Sequence, residues 1–235
     1  MSKIVLQKNK PIILSIGGSL IVPSGSPDVM FLKALKKFVD AQIKIGNKIV
    51  IVSGGGKTAR HYIDAASGVQ KVVDEDLDWL GIHATRLNGH LLRTIFRKVA
   101  HPAVIKDPTK TPRKWKSSVL IAAGWKPGWS TDYVACRIAK RLGVDMVINA
   151  SNIDYVYDKD PKKFKDAVPV EEMRWKAFQD IVGYTWHPGT SAPFDVVASG
   201  FCHRNKMKVA IVNGDDFKNI SALVAGRGFR GTILE

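Results

Sequence analysis

Cysteine is almost absent from this chain: two residues, Cys136 and Cys202, in 235. Two cysteines 66 positions apart (by residue number) form neither a disulfide framework nor a metal-type spacing, and they read as reduced, buried thiols. No apolar run approaches the roughly 20 residues that cross a bilayer. The opening Met1-Ser2-Lys3 followed by Ile4-Val5-Leu6 is too short for a secretory signal, so a cytoplasmic location without a membrane partner is expected. No Ser/His/Asp or Cys/His arrangement calls for nucleophilic catalysis, and no internal repeat or low-complexity segment is visible. Acidic residues are scarce, 21 against 36 Lys and Arg, which leaves a net charge of +15. That balance favours anionic partners.

Glycine-rich turns are what the chain does have, each behind an apolar run and ahead of a helical pattern. Ile12–Ile16 opens into Gly17-Gly18-Ser19. Residues 48–52 run into Ser53-Gly54-Gly55-Gly56-Lys57-Thr58-Ala59-Arg60. Residues 118–123 lead to Gly124-Trp125-Lys126-Pro127-Gly128-Trp129-Ser130-Thr131-Asp132, and a helical pattern follows over 133–142 with Gly143 beyond it. In such a layout the turn lets backbone N–H groups approach a ligand, and the helix start adds free donors and a partial positive charge. An ordinary strand-to-helix turn gives the same pattern, so each turn alone stays open between the two readings. Three consecutive glycines serve close backbone approach or a positive φ angle. Arg60, one helical turn on, can reach back and fork onto a phosphate, or sit as a surface residue.

Further elements follow the same alternation. Ser26-Pro27-Asp28 starts a helix with apolar positions Phe31, Leu35, Phe38 and Val39. Asp74-Glu75-Asp76 and Asp78 precede a long helix; Thr85, Arg86 and Asn88 on it read as surface or helix-packing residues. Residues 103–106 and 145–149 are expected strands, 169–182 and 194–207 helices, and 183–193 a loop that moves. A strand over 208–212, a turn at Asn213-Gly214, a helix over 216–224 and strand Thr232–Leu234 complete the chain. Eight basic residues fall within 93–116, with only Phe96 and Trp115 interleaved. Nucleic-acid patches interleave more aromatics, so a solvated basic face is the expectation. The fold class is therefore α/β, with a mainly parallel sheet covered by helices on both faces. Ligands in such sheets bind beyond the carboxyl ends of the strands, where these turns lie, and several converging there suggest two anionic ligands side by side.

In their order and spacing the stretches resemble the amino acid kinase family, and within it the archaeal branch of UMP kinases. The resemblance rests on Ile16-Gly17-Gly18-Ser19, on Ser53-Gly54-Gly55-Gly56-Lys57 with Arg60, and on Asp78 with Gly81, Thr85 and Asn88. It continues through Pro127-Gly128-Trp129-Ser130-Thr131-Asp132, Asp154-Tyr155-Val156-Tyr157-Asp158-Lys159-Asp160-Pro161 and Gly231-Thr232-Ile233. It implies a three-layer α/β/α sandwich in one domain, an acceptor half at about 1–145 and an ATP half at about 146–235. The implied activity passes the γ-phosphoryl of ATP, with Mg²⁺, to UMP, giving UDP in pyrimidine nucleotide synthesis. By the resemblance, Gly17, Gly18 and Ser19 line the transferring group, and Asp132, Asp154 and Lys162 serve catalysis. Gly54, Gly55, Gly56, Arg60, Asp78 and Thr131 hold UMP, and Asn152, Tyr157, Asp160 and Lys163 hold ATP. No dedicated protein metal site is implied, and the assembly is a homo-oligomer, a hexamer in UMP kinases.

The chain departs from the family in particular places. Ser15 stands where many relatives, though not the archaeal UMP kinases, carry Lys, which leaves the cation at the transferring phosphoryl between Lys57 and Lys162. Tyr155 replaces a frequent Gly, and Trp125 and Trp129 flank the central turn where smaller or polar residues are usual. Two alternatives share the fold: an ATP-binding molybdenum or oxometalate storage protein, and a kinase for another small acid or phosphate.

Overall fold

A computed structural model describes residues 4–161, 163–183 and 192–235. The candidate cation Lys162 and most of the expected mobile loop lie outside the described residues. In chain order the elements begin with β1 (Ile12–Ile16), α1 (Gly18–Ile21), α2 (Val29–Lys44), β2 (Ile49–Ser53), α3 (Gly56–Val69) and α4 (Asp74–Ile95). A 3-10 turn at Pro108–Lys110 precedes β3 (Val119–Ala122), α5 (Thr131–Leu142) and β4 (Met146–Ser151). Then come β5 (Val156–Tyr157), β6 (Pro169–Val170), β7 (Glu172–Met173), α6 (Trp175–Val182) and α7 (Val196–Arg204). The chain closes with β8 (Lys208–Asn213), α8 (Phe217–Val224) and β9 (Thr232–Leu234).

Seven strands form one sheet in the order β3-β2-β1-β4-β8-β9-β7. All neighbours are parallel except β8 and β9. β1 and β2 are buried at every position, and apolar apart from Ser15 and Ser53, because both of their faces are covered. Alternate residues feed two cores. Ile12, Leu14, Ile49 and Ile51 pack with Phe31, Leu35 and Phe38 of α2 and Ile220 and Leu223 of α8. Ile13, Val50 and Val52 pack on the other face with α5, Trp175 and Phe178 of α6, and α7. The three-layer α/β sandwich expected from the sequence is thus the architecture found. Between α5 and α7 the buried thiols Cys136 and Cys202 meet at 3.2 Å, both free. Burial first, then the neighbouring thiol, pushes Cys136 well above the usual thiol range.

Helix starts follow local chemistry. Asp28 caps α2 by accepting from Met30 and Phe31 N–H groups, and Ser130 caps α5 by accepting from Tyr133 N. Gly143 ends α5 in the left-handed region, at φ +66°. The expected helix over 169–182 is shorter: its first part instead forms β6, which pairs with β5, and β7, which pairs with β9. Helical periodicity in its apolar positions masked that backbone pairing. The expected strand at 103–106 reduces to one bridge, Ile105 with Ala122, beside β3. The helix expected over 194–207 begins at Val196, capped by Asp195.

Candidate active site

The carboxyl ends of β1, β2 and β4 open into a cleft of about 440 Å³. It is built first of backbone. β1 and β2 lie side by side with Ile16 opposite Ser53, so the turns that follow leave the sheet at the same level. Gly17 N donates to Ala150 O of β4, and Gly54 N donates to Ile16 O, both at 2.9 Å. A Cβ on Gly18 would collide with the backbone of Gly54, Gly55 and Gly56; one on Gly56, at φ +63°, would collide with Gly18 O. Only glycine permits this contact between the two turns. The contact seats the start of α3 beside the start of α1, so main-chain N–H groups gather where an anion can approach.

Helix α4 holds the other turns in place. Asn88 Nδ2 donates to Gly54 O at 2.8 Å and to Gly55 O at 3.2 Å. Ser53 Oγ donates to Thr85 O at 3.0 Å. Thr85 Oγ1 accepts from Gly124 N at 2.7 Å while donating to Ile82 O. Arg86 donates to Gly124 O and Trp125 O, and its guanidinium lies over Trp79. Asp78 Oδ2 accepts from Gly128 N at 2.7 Å. Thr85 and Asn88, read from the sequence as surface or helix-packing residues, are buried and fasten two glycine turns to one helix. Their i, i+3 spacing on the side bearing Gly81 and Ile82 was the available signal.

Two neighbouring acid groups at the cleft, Asp132 and Asp195, are displaced from their usual titration. Asp132 accepts from Ser15 Oγ at 3.0 Å and Asn149 Nδ2 at 2.9 Å, both on Oδ1, and from Asp195 N at 3.4 Å on Oδ2. Desolvation pushes its pKa up to about 6, the charge of Asp195 adds to this, and those hydrogen bonds oppose it. Desolvation likewise raises Asp195, against hydrogen bonds from Ala198 N, Ser130 and Val197 N. Asp195 escaped the sequence reading because it was placed inside a helix rather than at its cap.

Of the residues singled out in the sequence, the cleft wall contains Gly17, Gly18, Ser19, Gly55, Gly56 and Arg60. Asp78, Thr131, Asp132 and Asn152 line it too. Gly54 lies directly behind Gly18. Asp154 sits outside the lining and accepts from Asn213 Nδ2 at 3.0 Å. Tyr157 lies on β5, and the carbonyl of Asp160 accepts from Lys163 N, all beyond the cleft wall. Lys57 follows Gly56 on α3 and does not line the cleft. A larger hollow of about 520 Å³ opens at the opposite end of the strands, bordered by Ile45, Gly46, Val144 and Asp145. There the carboxyl ends of α2 and α5 present carbonyls, the wrong pole for an anion despite Lys8, Lys10 and Lys48 on the rim. The glycine-lined cleft is therefore the candidate site.

Comparison with known proteins identifies the family and the fold. The family model described as the amino acid kinase family matches residues 10–213. The chain belongs to the amino acid kinase family. Among amino acid kinases, the uridylate kinase of Thermococcus kodakarensis is 34% identical over 95% of this chain and 99% of that protein. That of Thermococcus sibiricus is 32% identical over the same shares. The crystal structure of uridylate kinase from Archaeoglobus fulgidus has a TM-score of 0.80 at 30% identity, covering 96% of this chain and 100% of that one. The UMP kinase of Bacillus anthracis, at 17% identity and a TM-score of 0.77, speaks for the amino acid kinase fold alone.

Proposed function

We propose that this amino acid kinase transfers the γ-phosphoryl group of ATP to UMP, forming UDP and ADP. The observation that carries this reading is the backbone contact between the Gly17-Gly18 and Gly54-Gly55-Gly56 turns at the head of one cleft, with Arg60 and Asp78 on its wall. Phosphoryl transfer requires two oxygens in line and donors around three equatorial oxygens, so positioning and electrostatics supply most of the acceleration. A cradle of main-chain N–H groups meets that need without a general base.

In this reading the amides of the second glycine turn and the Arg60 guanidinium hold the acceptor phosphate, and Asp78 accepts from the ribose hydroxyls. Gly17, Gly18 and Ser19 surround the group in transit. Asn152 faces the ATP side, with Asp154, Tyr157, Asp160, Lys162 and Lys163 beyond it. Residues up to about 145 form the acceptor half and the remainder the ATP half. Among the described residues no cluster of three His, Cys, Asp or Glu could hold a metal ion. Mg²⁺ would arrive with the nucleotide phosphates, and Asp132, one of two carboxylates on the cleft wall, would approach it. When bound, the ion neutralises phosphate charge.

An assembly of several copies fits the outer surface of α3. None of its 14 residues is buried, and Tyr62 and Val69 stand 63% and 85% exposed, with Leu87 of α4 at 62%. A hexamer built through this face is the form we assign.

The test is a coupled assay of ADP release with ATP, Mg²⁺ and candidate acceptors. UMP-dependent turnover is expected; failure of UMP, CMP and dUMP together refutes the reading, and bound molybdenum or tungsten in the purified protein would favour storage instead. Arg60→Ala should weaken UMP binding by about 2–5 kcal/mol if the guanidinium meets a desolvated phosphate.

A further inference from the structure

Charge is unevenly spread over this molecule. Residues 79–131 hold ten Lys and Arg against a single acid, Asp107, so this stretch carries +9 of the net +15. Backbone pairing gathers most of that charge on one flank of the sheet. Beyond α4 the chain runs along the outer edge of β3: His101 N donates to Val119 O, Ile105 N to Ile121 O, and Ala123 N to Ile105 O. Arg97 and Lys98 stand before this run and Lys106 at its end, all exposed. The chain then bends through the 3-10 turn, where Arg141 Nε of α5 donates to Thr111 O. It returns to the start of β3 past Arg113, Lys114 and Lys116, again exposed. Trp115 among them packs against the second core, and its carbonyl accepts from Lys48 Nζ. Lys110 on the turn and Lys126 after β3 both act electrostatically on Asp107, so the segment following β3 joins the same surface.

These cations are not neutralised within the chain. Among the described residues their one ion pair is Lys110 with Asp107, at 4.0 Å. Like charges held together in this way repel, and a polyanion laid across them relieves the repulsion. The chemistry of the surroundings narrows the partner. None of the large exposed apolar side chains falls within 97–126. The flank therefore lacks the apolar face with which amphipathic segments enter a bilayer, and the apolar centre of a protein interface, where Lys is depleted. Phe96 is only 2% exposed and offers no platform for a base. Trp115 and Trp125 are half-buried, with the ammonium groups of Lys48 and Lys126 over their rings. Contacts here run to phosphates, and phosphate contacts carry no sequence information.

We propose that the β3 flank binds the phosphate backbone of a single-stranded nucleic acid without regard to its sequence. A single strand is supple enough to follow the bend from the run beside β3 into the 3-10 turn and back, whereas a duplex is stiff on this scale. The sequence pointed to a solvated basic face because the aromatics are few; the structure adds that the cations converge on one flank and lack acids to pair with. The inference is independent of the reading of the cleft, because none of the cations on this flank lines it.

The experiment follows the fluorescence anisotropy of labelled single-stranded oligonucleotides of two unrelated sequences, with and without excess UMP. Both should bind alike, and affinity should fall about 100- to 1,000-fold as salt rises from about 50 to about 200 mM, as expected for about five to seven phosphate contacts on a single strand. The triple variant Arg113→Ser, Lys114→Ser, Lys116→Ser should lose about tenfold or more in affinity and lower the log–log salt slope by about 2. Removing the same charge from exposed positions of α2, with Lys33→Ser, Lys37→Ser and Lys44→Ser, should leave affinity and slope as in the parent. Circular dichroism of both variants reports an intact fold. Absence of binding at the lower salt overturns the inference, and so does an equal loss in the α2 variant, displacement by UMP, or a strong preference for one sequence. Vesicles of anionic phospholipid should not bind; vesicle binding that the first triple variant abolishes would assign the flank to a membrane and overturn the inference as well. If no acceptor is phosphorylated, the kinase reading falls, and the anisotropy still decides this one by the same criteria.

Discussion

At the scale of single residues, the site depends on atoms that are absent. Gly18 has no Cβ, and the backbone of the second glycine turn fills that space. Gly18→Ala must push the turns apart, which for overpacking of this kind costs about 1–3 kcal/mol. Urea unfolding should show the loss, and calorimetry should show at least a tenfold drop in UMP affinity, because the amides no longer converge. Asp132 gives a prediction in pH. Its folded pKa of about 6 lies above the ordinary value near 3.9, so the folded state holds the proton more tightly. The associated stability is full below about pH 4 and is lost as pH rises through about 6, a difference of about 3 kcal/mol. Asp132→Asn keeps an oxygen for Ser15 and Asn149 and removes the charge. It should flatten this part of the stability profile and unfold at higher urea than the parent at pH 8; a parent profile with no fall between pH 4 and 7 would contradict the assignment.

At the scale of elements, α4 is the frame on which the acceptor end is built. Thr85→Val removes the hydroxyl that accepts from Gly124 N and leaves that buried amide unpaired, a cost of about 1–3 kcal/mol. Steady-state kinetics should show a higher KM for UMP with the KM for ATP unchanged, and Thr85→Ser should behave like the parent. How much of this was legible beforehand follows from what each signal encodes. The strand–glycine–helix units at Gly17, Gly54 and Gly124 were plain, since hydrophobic period and glycine choice are local. The use of Asn88 to hold Gly54 and Gly55 was not, because the bond joins residues 34 and 33 positions apart and depends on how α4 crosses β2. β6 and β7 were misread as helix for the same reason: their partners, β5 and β9, are set by tertiary pairing rather than by their own two-residue sequences. The Asp195 cap was legible in principle, as Asp before Val196-Val197-Ala198, and was lost to an over-long helix.

At the scale of the molecule, charge and surface matter. A net charge of +15 raises the local concentration of a dianionic acceptor, and salt screens that field over about 8 Å at physiological ionic strength. Stopped-flow tryptophan fluorescence should show UMP association slowing several-fold as salt rises from about 0.05 to about 0.5 M, while kcat at saturation stays level; a salt-independent rate would remove the steering role. The exposed apolar positions of α3 give the second prediction. Tyr62→Asp should shift the assembly toward smaller species in light scattering, and an unchanged mass would place the interface elsewhere.

Ser15 and Asn149 are direct partners across the β1–β4 rungs, where the earlier strands of the sheet meet the later ones. Both donate to the same oxygen of Asp132. Slipping one strand by a residue would turn its donor to the opposite face and leave that oxygen half satisfied. The two flanks of the sheet are therefore forbidden to slide past each other during a catalytic cycle.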